Sequence, residues 1–484
     1  MARSDCLSIR KFGTNRIQPI LRRLMSGEVN PRYVWFIASI AALGGLLFGY
    51  DWVVIGGAKP FYEAFFHLTT AAQEGWAMSC ALVGCLIGAI ISGVLSEALG
   101  RKRSLQIAAA AFVVSSCGTA FASSFTSFVL WRISGGLAIG LASSLSPMYI
   151  SEIAPAAIRG KLVCLNELTI VLGLLSAQIM NWLIAKPVAA NATPSEILAS
   201  WNGLYAWRWM FGVTAVPAVL FLIGTFVVPE SPRWLALRGR TSEASSILTR
   251  IGGPSNAAFI LDEIAATPRS QGFVHELHTL LEPKLRRVLF LGIALAVLQQ
   301  WCGINVIFNY AQEIFTAAGY TLSSMLFNIV VTGITMVIFT FIAIATVEDK
   351  GRRVLMLTGC AGLLIIYTVL GYLYNIHSHG LPMLVLVIAS IACYAMTLAP
   401  ITWVILAEIF PGHIRGTAMA IATMSLWAAC FVLTYTFPAL NRSVGTAHTF
   451  WIYAVVCALG FLLIRRWLPE TKGKTLEQIE ASWR

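Results

Sequence analysis

SEIAPAAIRG at residues 151–160 and AEIFPGHIRG at residues 407–416 are two copies of one decapeptide, with Glu, Ile, Pro, Ile, Arg and Gly at the same places. Working outward, Gly100-Arg101-Lys102 has its counterpart in Gly351-Arg352-Arg353, and Pro229-Glu230-Ser231 in Pro469-Glu470-Thr471. Matches in one order at similar spacing mark an internal duplication, so the chain reads as two halves of like topology.

The halves belong in a membrane. Hydrophobic residues make up 57% and charged residues 12% of the chain, against roughly 25% charged in a soluble domain. A helix needs about 20 mainly apolar residues to cross a bilayer. Twelve stretches meet that test: about 33–56, 76–96, 104–122, 125–148, 162–185, 205–228, 288–315, 322–347, 353–374, 381–406, 416–437 and 447–467. The expected fold is an all-α membrane protein of twelve transmembrane helices in two six-helix domains, 33–228 and 288–468. A basic tail, 1–32, precedes them without the apolar core of a secretory signal. A linker, 229–287, joins them, with short helices expected at Glu243–Ile251 and Ala258–Ala266, and a tail, 469–484, follows.

Charge gives the orientation. Of 34 Lys and Arg, the loops expected on the far side hold only Lys59, Lys186, Arg208 and Arg442, and Arg132 falls within a span. The rest lie on the side of the termini, which the positive-inside pattern makes cytoplasmic. The net charge of +12 therefore reports orientation and contact with anionic lipid headgroups, not nucleic-acid binding. The ten cysteines include no CxxC pair and read as buried thiols packing as small hydrophobes. No nucleotide loop, metal-ligand cluster or nucleophile–base set is present, so no cofactor, no metal and no enzymatic activity are expected.

A charge deep in a bilayer is costly and marks function by default. Asp51 in LLFGYDWVVIGGA and Arg132 in FVLWRISGG are two such charges. An Asp that gains and loses an Arg partner would bind and release a proton, because burial and a neighbouring cation act on it in opposite directions. The competing reading is a static ion pair between two helices. Glu167 in LVCLNELTIVLG has a substrate or proton role, or else pairs at the cytoplasmic end with Arg159 or Lys161. The seventh span carries Gln299, Gln300, Asn305, Asn309 and Gln312, too many amides for a lipid-facing helix, with Gly303 allowing a break. Trp403 offers a ring to stack on a sugar, or packs in the core. The cytoplasmic gate is expected to comprise Glu97, Arg101, Glu152, Arg159, Glu230 and Arg233, with Glu348, Arg352, Glu408, Arg415 and Glu470 in the second half.

From about residue 33 to 476 the sequence resembles the sugar porter family of the major facilitator superfamily, most of all its bacterial D-xylose–proton symporters. The motifs are GRKR at 100–103, PESPRWL at 229–235, QQWCGIN at 299–305, GRR at 351–353 and PETKGKTLE at 469–477. The resemblance implies substrate held midway between two domains that rock to alternate access. It also implies a proton site at Asp51 and Arg132, and sugar contacts at Phe48, Gln299, Gln300, Asn305, Trp403 and Trp427. Departures bear on the substrate. Glu167 stands where the family has a sugar-binding Gln, Asn309 where a Tyr is usual, Met336 for an Asn, and Leu426 for an amide. Ala98 replaces a basic residue at the first cytoplasmic signature.

The expectation is a monomeric proton symporter for a pentose, hexose, deoxy-sugar or polyol in a bacterial inner membrane. Its partners would be sugar, proton and lipid, and both termini would be cytoplasmic. Its rivals are a facilitative uniporter, with Asp51 structural, and a non-transporting sugar sensor.

Overall fold

Each long apolar run begins and ends where its own sequence dictates. Asn30 starts α1 (Pro31–Phe66): its side chain accepts the Tyr33 N–H at 3.1 Å, Pro31 presets the first turn, and His67 closes the helix in the left-handed conformation. Thr70 and Gln73 form a capping box on α2 (Ala71–Leu99). Gly100, at φ 90°, turns the chain directly into α3 (Arg101–Ala120), a conformation only glycine takes without strain. Ser124 caps α4 (Phe125–Ile153), which stops just before Pro155. The computed structural model describes residues 30–155, 158–187, 193–266, 278–411 and 414–472. Both tails therefore lie almost wholly outside the described residues.

The first half continues with α5 (Arg159–Ile184) and a short α6 (Pro194–Ala199). A π-helical turn at Asn202–Ala206 then leads into α7 (Trp207–Gly212) and α8 (Ala215–Val227). In the linker, α9 spans Pro232–Leu237 and α10 spans Thr241–Ala266, broken at Gly252 and Gly253 ahead of Pro254. Both expected linker helices lie inside α10. The second half begins with α11 (Pro283–Trp301), α12 (Ile304–Asn309) and α13 (Ala311–Ala317), one apolar run broken at Gly303 (φ 89°) and at Tyr310. It continues with α14 (Leu322–Lys350), α15 (Arg352–Asn375), α16 (Leu381–Met396) and α17 (Leu398–Ile409). Last comes α18 (Arg415–Trp467), 53 residues long and bent at Gly445.

Ten helices or helix runs are long and apolar enough to cross a membrane. The shorter α3, carrying Ser104, Ser115 and Ser116 among its buried residues, is not one of them, and α18 counts once despite its bend. Within the first half α2 packs on α4, α1 on α5, and α3 on α4 and α8; in the second, α15 and α11 pack on α18 and α14 on α16. The halves meet where α2 lies on α18 and α5 on α14. The α1–α5 contact is backbone to backbone. A Cβ on Gly49 would stand 1.8 Å from the Ile170 carbonyl oxygen, and one on Gly173 would stand 2.0 Å from that of Leu46.

Three basic residues expected in far-side loops are helical instead. Lys59 lies within α1 and is buried, Arg208 lies in α7, and Arg442 lies near the bend of α18. At Lys59 and Arg442 the apolar runs end before the helices do, and acidic partners let the helices continue through the charged positions; Arg208 is instead satisfied by the Ala120 and Ala122 carbonyls. Of the nine described cysteines, Cys117 and Cys164 are exposed rather than buried.

Candidate functional site

Asp51 from the middle of α1 and Arg132 from the first turns of α4 meet inside the first half. Nη1 of Arg132 lies 2.7 and 2.8 Å from the two carboxylate oxygens, and Nη2 lies 3.5 Å from the Asp51 carbonyl. The guanidinium sits 5.2 Å from the Phe211 ring centroid, which favours a cation on its face. Both side chains are buried, and Arg132 Nε has no hydrogen-bond partner. Losing either member of such a pair leaves an uncompensated buried charge, so the two are held together unless a proton neutralises the acid. A small cavity opens beside the pair, lined by Asp51, Trp52, Met78, Cys85, Arg132 and Asn309. Asn309, expected at the substrate site, ends there with its buried Oδ1 unpartnered.

Next to this pair the halves face each other across aromatic rings. Phe48 and Trp52 of α1 and Trp427 of α18 lie with centroids 5.8 to 6.1 Å apart, and Trp427 Nε1 is buried without an acceptor. Trp52 was not singled out by the sequence reading, although it adjoins Asp51 and lies four residues after Phe48, on the same helix face.

The amides of the seventh apolar run form a chain. Gln299 Nε2 donates to the Ala399 carbonyl at 3.2 Å and Gln300 Nε2 to Gln299 Oε1 at 3.2 Å, while Asn305 Nδ2 donates to Gln300 Oε1. The break at Gly303 brings Asn305 back to Gln300. Trp403 is half-buried on α17. Glu167 on α5 has no hydrogen bond or ion pair among the described residues, and both Arg159 and Lys161 are exposed; the expected alternative, a cytoplasmic-end pair, is absent. Gln178, also missed in sequence, reaches across the halves to Thr332 at 3.4 Å. Amides that donate and accept, beside aromatic faces, suit a ligand with many hydroxyls and apolar C–H faces.

At the end where Gly100 and Gly351 turn the chain, charges cluster within each half. Arg101 forks onto Glu152 at 2.9 and 2.8 Å, and Ser231 donates to the same carboxylate at 2.5 Å. Glu230 accepts the backbone N–H groups of Arg101, Lys102 and Ser231 at 2.8, 3.0 and 2.8 Å, placing negative charge on the N-terminus of α3. The second half repeats the plan: Glu470 accepts from Arg352 and Arg353 at 3.0 and 3.2 Å, and Arg352 lies 3.3 Å from Glu408. The repeat is looser, since Glu408 Oε2 and Thr471 Oγ1 are buried without partners.

Other gate expectations fall elsewhere. Arg159 and Arg233 are exposed and make no ion pair among the described residues, because the chain turns at Pro155 and at Pro232 and carries them outward. Glu97 contributes its carbonyl, which accepts from Trp234 and Arg238, while its side chain is exposed. Arg415 donates to the Phe410 carbonyl at 3.2 Å. The side chain of Glu348 lies outside the described residues.

At the opposite end, ion pairs join the halves. Lys59 of α1, 3% exposed, lies 3.0 Å from Glu63 one turn on and 2.5 Å from Glu313 of α13. Arg442 of α18 pairs with Glu74 of α2.

A family model described as "Sugar (and other) transporter" matches residues 37–483. The chain belongs to the sugar porter family of the major facilitator superfamily. It is similar to the D-xylose-proton symporter of Escherichia coli K12, 37% identical over 95% of this chain and 97% of that one. It is 38% identical to the arabinose-proton symporter of Bacillus subtilis over 93% of this chain and 95% of the relative. Among solved structures, the xylose transporter XylE from E. coli in its inward open conformation aligns at TM-score 0.81 and 36% identity. That alignment covers 93% of this chain and all of that one. The same transporter bound to 6-bromo-6-deoxy-D-glucose aligns at 0.76. The sugar porter fold is thus an all-α membrane fold here, and the chain is a membrane transporter rather than an enzyme.

Proposed function

We propose that this sugar porter imports a monosaccharide by proton symport and alternating access, across a bacterial inner membrane. Asp51 and Arg132 would be the proton-linked pair. Phe48, Trp427, Gln299, Gln300, Asn305, Asn309, Trp403 and Glu167 would line the sugar site. The observation that carries the reading is a buried, closed Asp51–Arg132 pair directly beside amides and rings that the two halves present to each other, whose shared space is the proposed sugar cleft. Bacterial relatives named as xylose, arabinose and galactose symporters with protons support it.

In the proposed cycle a proton on Asp51 releases Arg132 while the cleft faces outward, sugar enters, and the halves rock inward. Sugar then leaves, and Arg132 recaptures Asp51 as the proton is lost. Twelve spans fit this reading, with α3 as one and α18 contributing two on either side of Gly445. So do domains 33–228 and 288–468, a cytoplasmic linker 229–287 and tails 1–32 and 469–484 on the cytoplasmic side. The clusters around Glu152 and Glu408 would brace the cytoplasmic ends of each domain, and the chain would act as a monomer.

The test is uptake by proteoliposomes of labelled D-xylose, L-arabinose, D-galactose, D-glucose and L-rhamnose, with and without an inward proton gradient. Wild type should accumulate one of them above equilibrium; Asp51→Asn should lose accumulation and keep exchange. Gradient-independent equilibration in both would make the protein a uniporter.

A further inference from the structure

Glu167 is the unpaired acid of the cleft, and its surroundings say which form of it works there. Glu167, Val171, Leu174 and Gln178 follow the i, i+4, i+7, i+11 spacing of one face of α5. Gln178 closes that face against Thr332 of α14, so the face looks across the cleft toward the second half. Glu167 is only partly buried, and Tyr394 of the second half lies close enough to feel its charge; its carboxyl therefore faces the space between the halves.

The charged groups nearby give it nothing. Asp51 already holds Arg132, Arg159 and Lys161 point outward, and among the described residues no charged side chain from α1, α4, α7 or α14, the helices packed on α5, comes within reach. Tyr394 of α16, across the cleft, is the titratable group facing it.

A lone carboxylate at this depth is costly as an anion and inexpensive as an acid. The two forms also differ in what they offer a sugar. The acid presents one O–H donor and one carbonyl acceptor, the pair a glutamine amide presents, whereas the anion only accepts. We propose that Glu167 binds the sugar as the protonated acid, so that sugar affinity depends on proton concentration at the cleft itself, separately from Asp51. The proposal rests on the cleft being the sugar site. It makes the residue a determinant of when sugar is held: bound sugar keeps the proton on Glu167, and loss of that proton weakens the grip on sugar.

The experiment measures sugar binding by tryptophan fluorescence of purified protein, since Trp52 and Trp427 line the cleft. The probe is whichever of the five labelled sugars exchanges fastest, titrated from about pH 5 to about pH 9. An Asp51→Asn background removes the other proton site. With Glu167 present, Kd should rise with pH, approaching roughly tenfold per unit once the acid titrates. Glu167→Gln should give a flat profile near the low-pH value, and Glu167→Asp should restore the slope. A flat profile with Glu167, a slope that survives Glu167→Gln, or tighter binding as pH rises would each overturn the proposal. If none of the five sugars bound any of the three forms at any pH, the sugar-site reading itself would fall, and the proposal with it.

Discussion

Among the described residues, ion pairs cross from one half to the other at one end of the molecule, the far end, whereas at the near end, marked by Gly100 and Gly351, each half keeps its charges to itself. Lys59–Glu313 and Arg442–Glu74 are of the first kind, and Arg101–Glu152 and Arg352–Glu408 of the second. The difference teaches that, among the described residues, ion pairs fasten the halves at one end only. Charges within a half move with it and can be strong without opposing rocking. Charges between halves must break each time the far end opens, so they set the balance between states. Likeness to an inward open relative accords with this distribution.

The strongest challenge to the comparison lies within the near-end clusters. Glu152 accepts three charge-assisted or short hydrogen bonds, whereas Glu408 accepts one at 3.3 Å and keeps a bare oxygen. Bonds to charged groups contribute about 1.5–3 kcal/mol each, with losses in one network far from additive. Glu152→Ala should therefore cost about 3 kcal/mol and Glu408→Ala about 1 kcal/mol, read as a larger fall in melting temperature for the first in detergent. Equal losses would mean the two halves are braced alike.

Next comes the far-end latch. Breaking a buried pair costs about 3–5 kcal/mol, less where a partner meets solvent, and Glu313 is 25% exposed. Lys59→Met should shift the balance toward the far-end-open state by about 2 kcal/mol, roughly 30-fold. Spin labels near the start of α2 and near the bend of α18 would report longer distances; unchanged distances would remove Lys59 from the latch. The smallest effect belongs to Arg442, whose side chain is half exposed. Arg442→Gln should move the same distances by less than about 1 kcal/mol, and molar salt should erase the difference from wild type. A shift as large as that of Lys59→Met, or one that persists in salt, would show that exposure does not rank these pairs.

Much of this was legible in the sequence, for identifiable reasons. The apolar runs gave the helices, and the repeated decapeptide with its paired Gly-Arg and Pro-Glu motifs gave two equivalent halves. Because the motifs mark turns, they also located Arg101, Glu152 and Glu230 near one another. Asp51 and Arg132 stood out because a charge among apolar residues must find company. Lys59 did not, since a cation near the end of an apolar run reads equally well as a loop residue. Its partner Glu313 lies 254 positions away in sequence and Glu74 lies 368 from Arg442, separations at which no local pattern signals contact. Arg159, seven residues after Glu152, looks near enough in sequence to join its cluster, but Pro155 turns the chain between them.

Gly49 and Gly173, where α1 and α5 touch through bare backbone, also have a practical meaning for redesign. Phe48 adjoins the first glycine and Glu167 lies on the same helix as the second. On the proposed sugar site, exchanging side chains at those two positions would retarget the carrier to other sugars while the walls that display them stay at a fixed spacing. A bulkier residue at either glycine would instead pry those walls apart and alter every contact in the cleft at once.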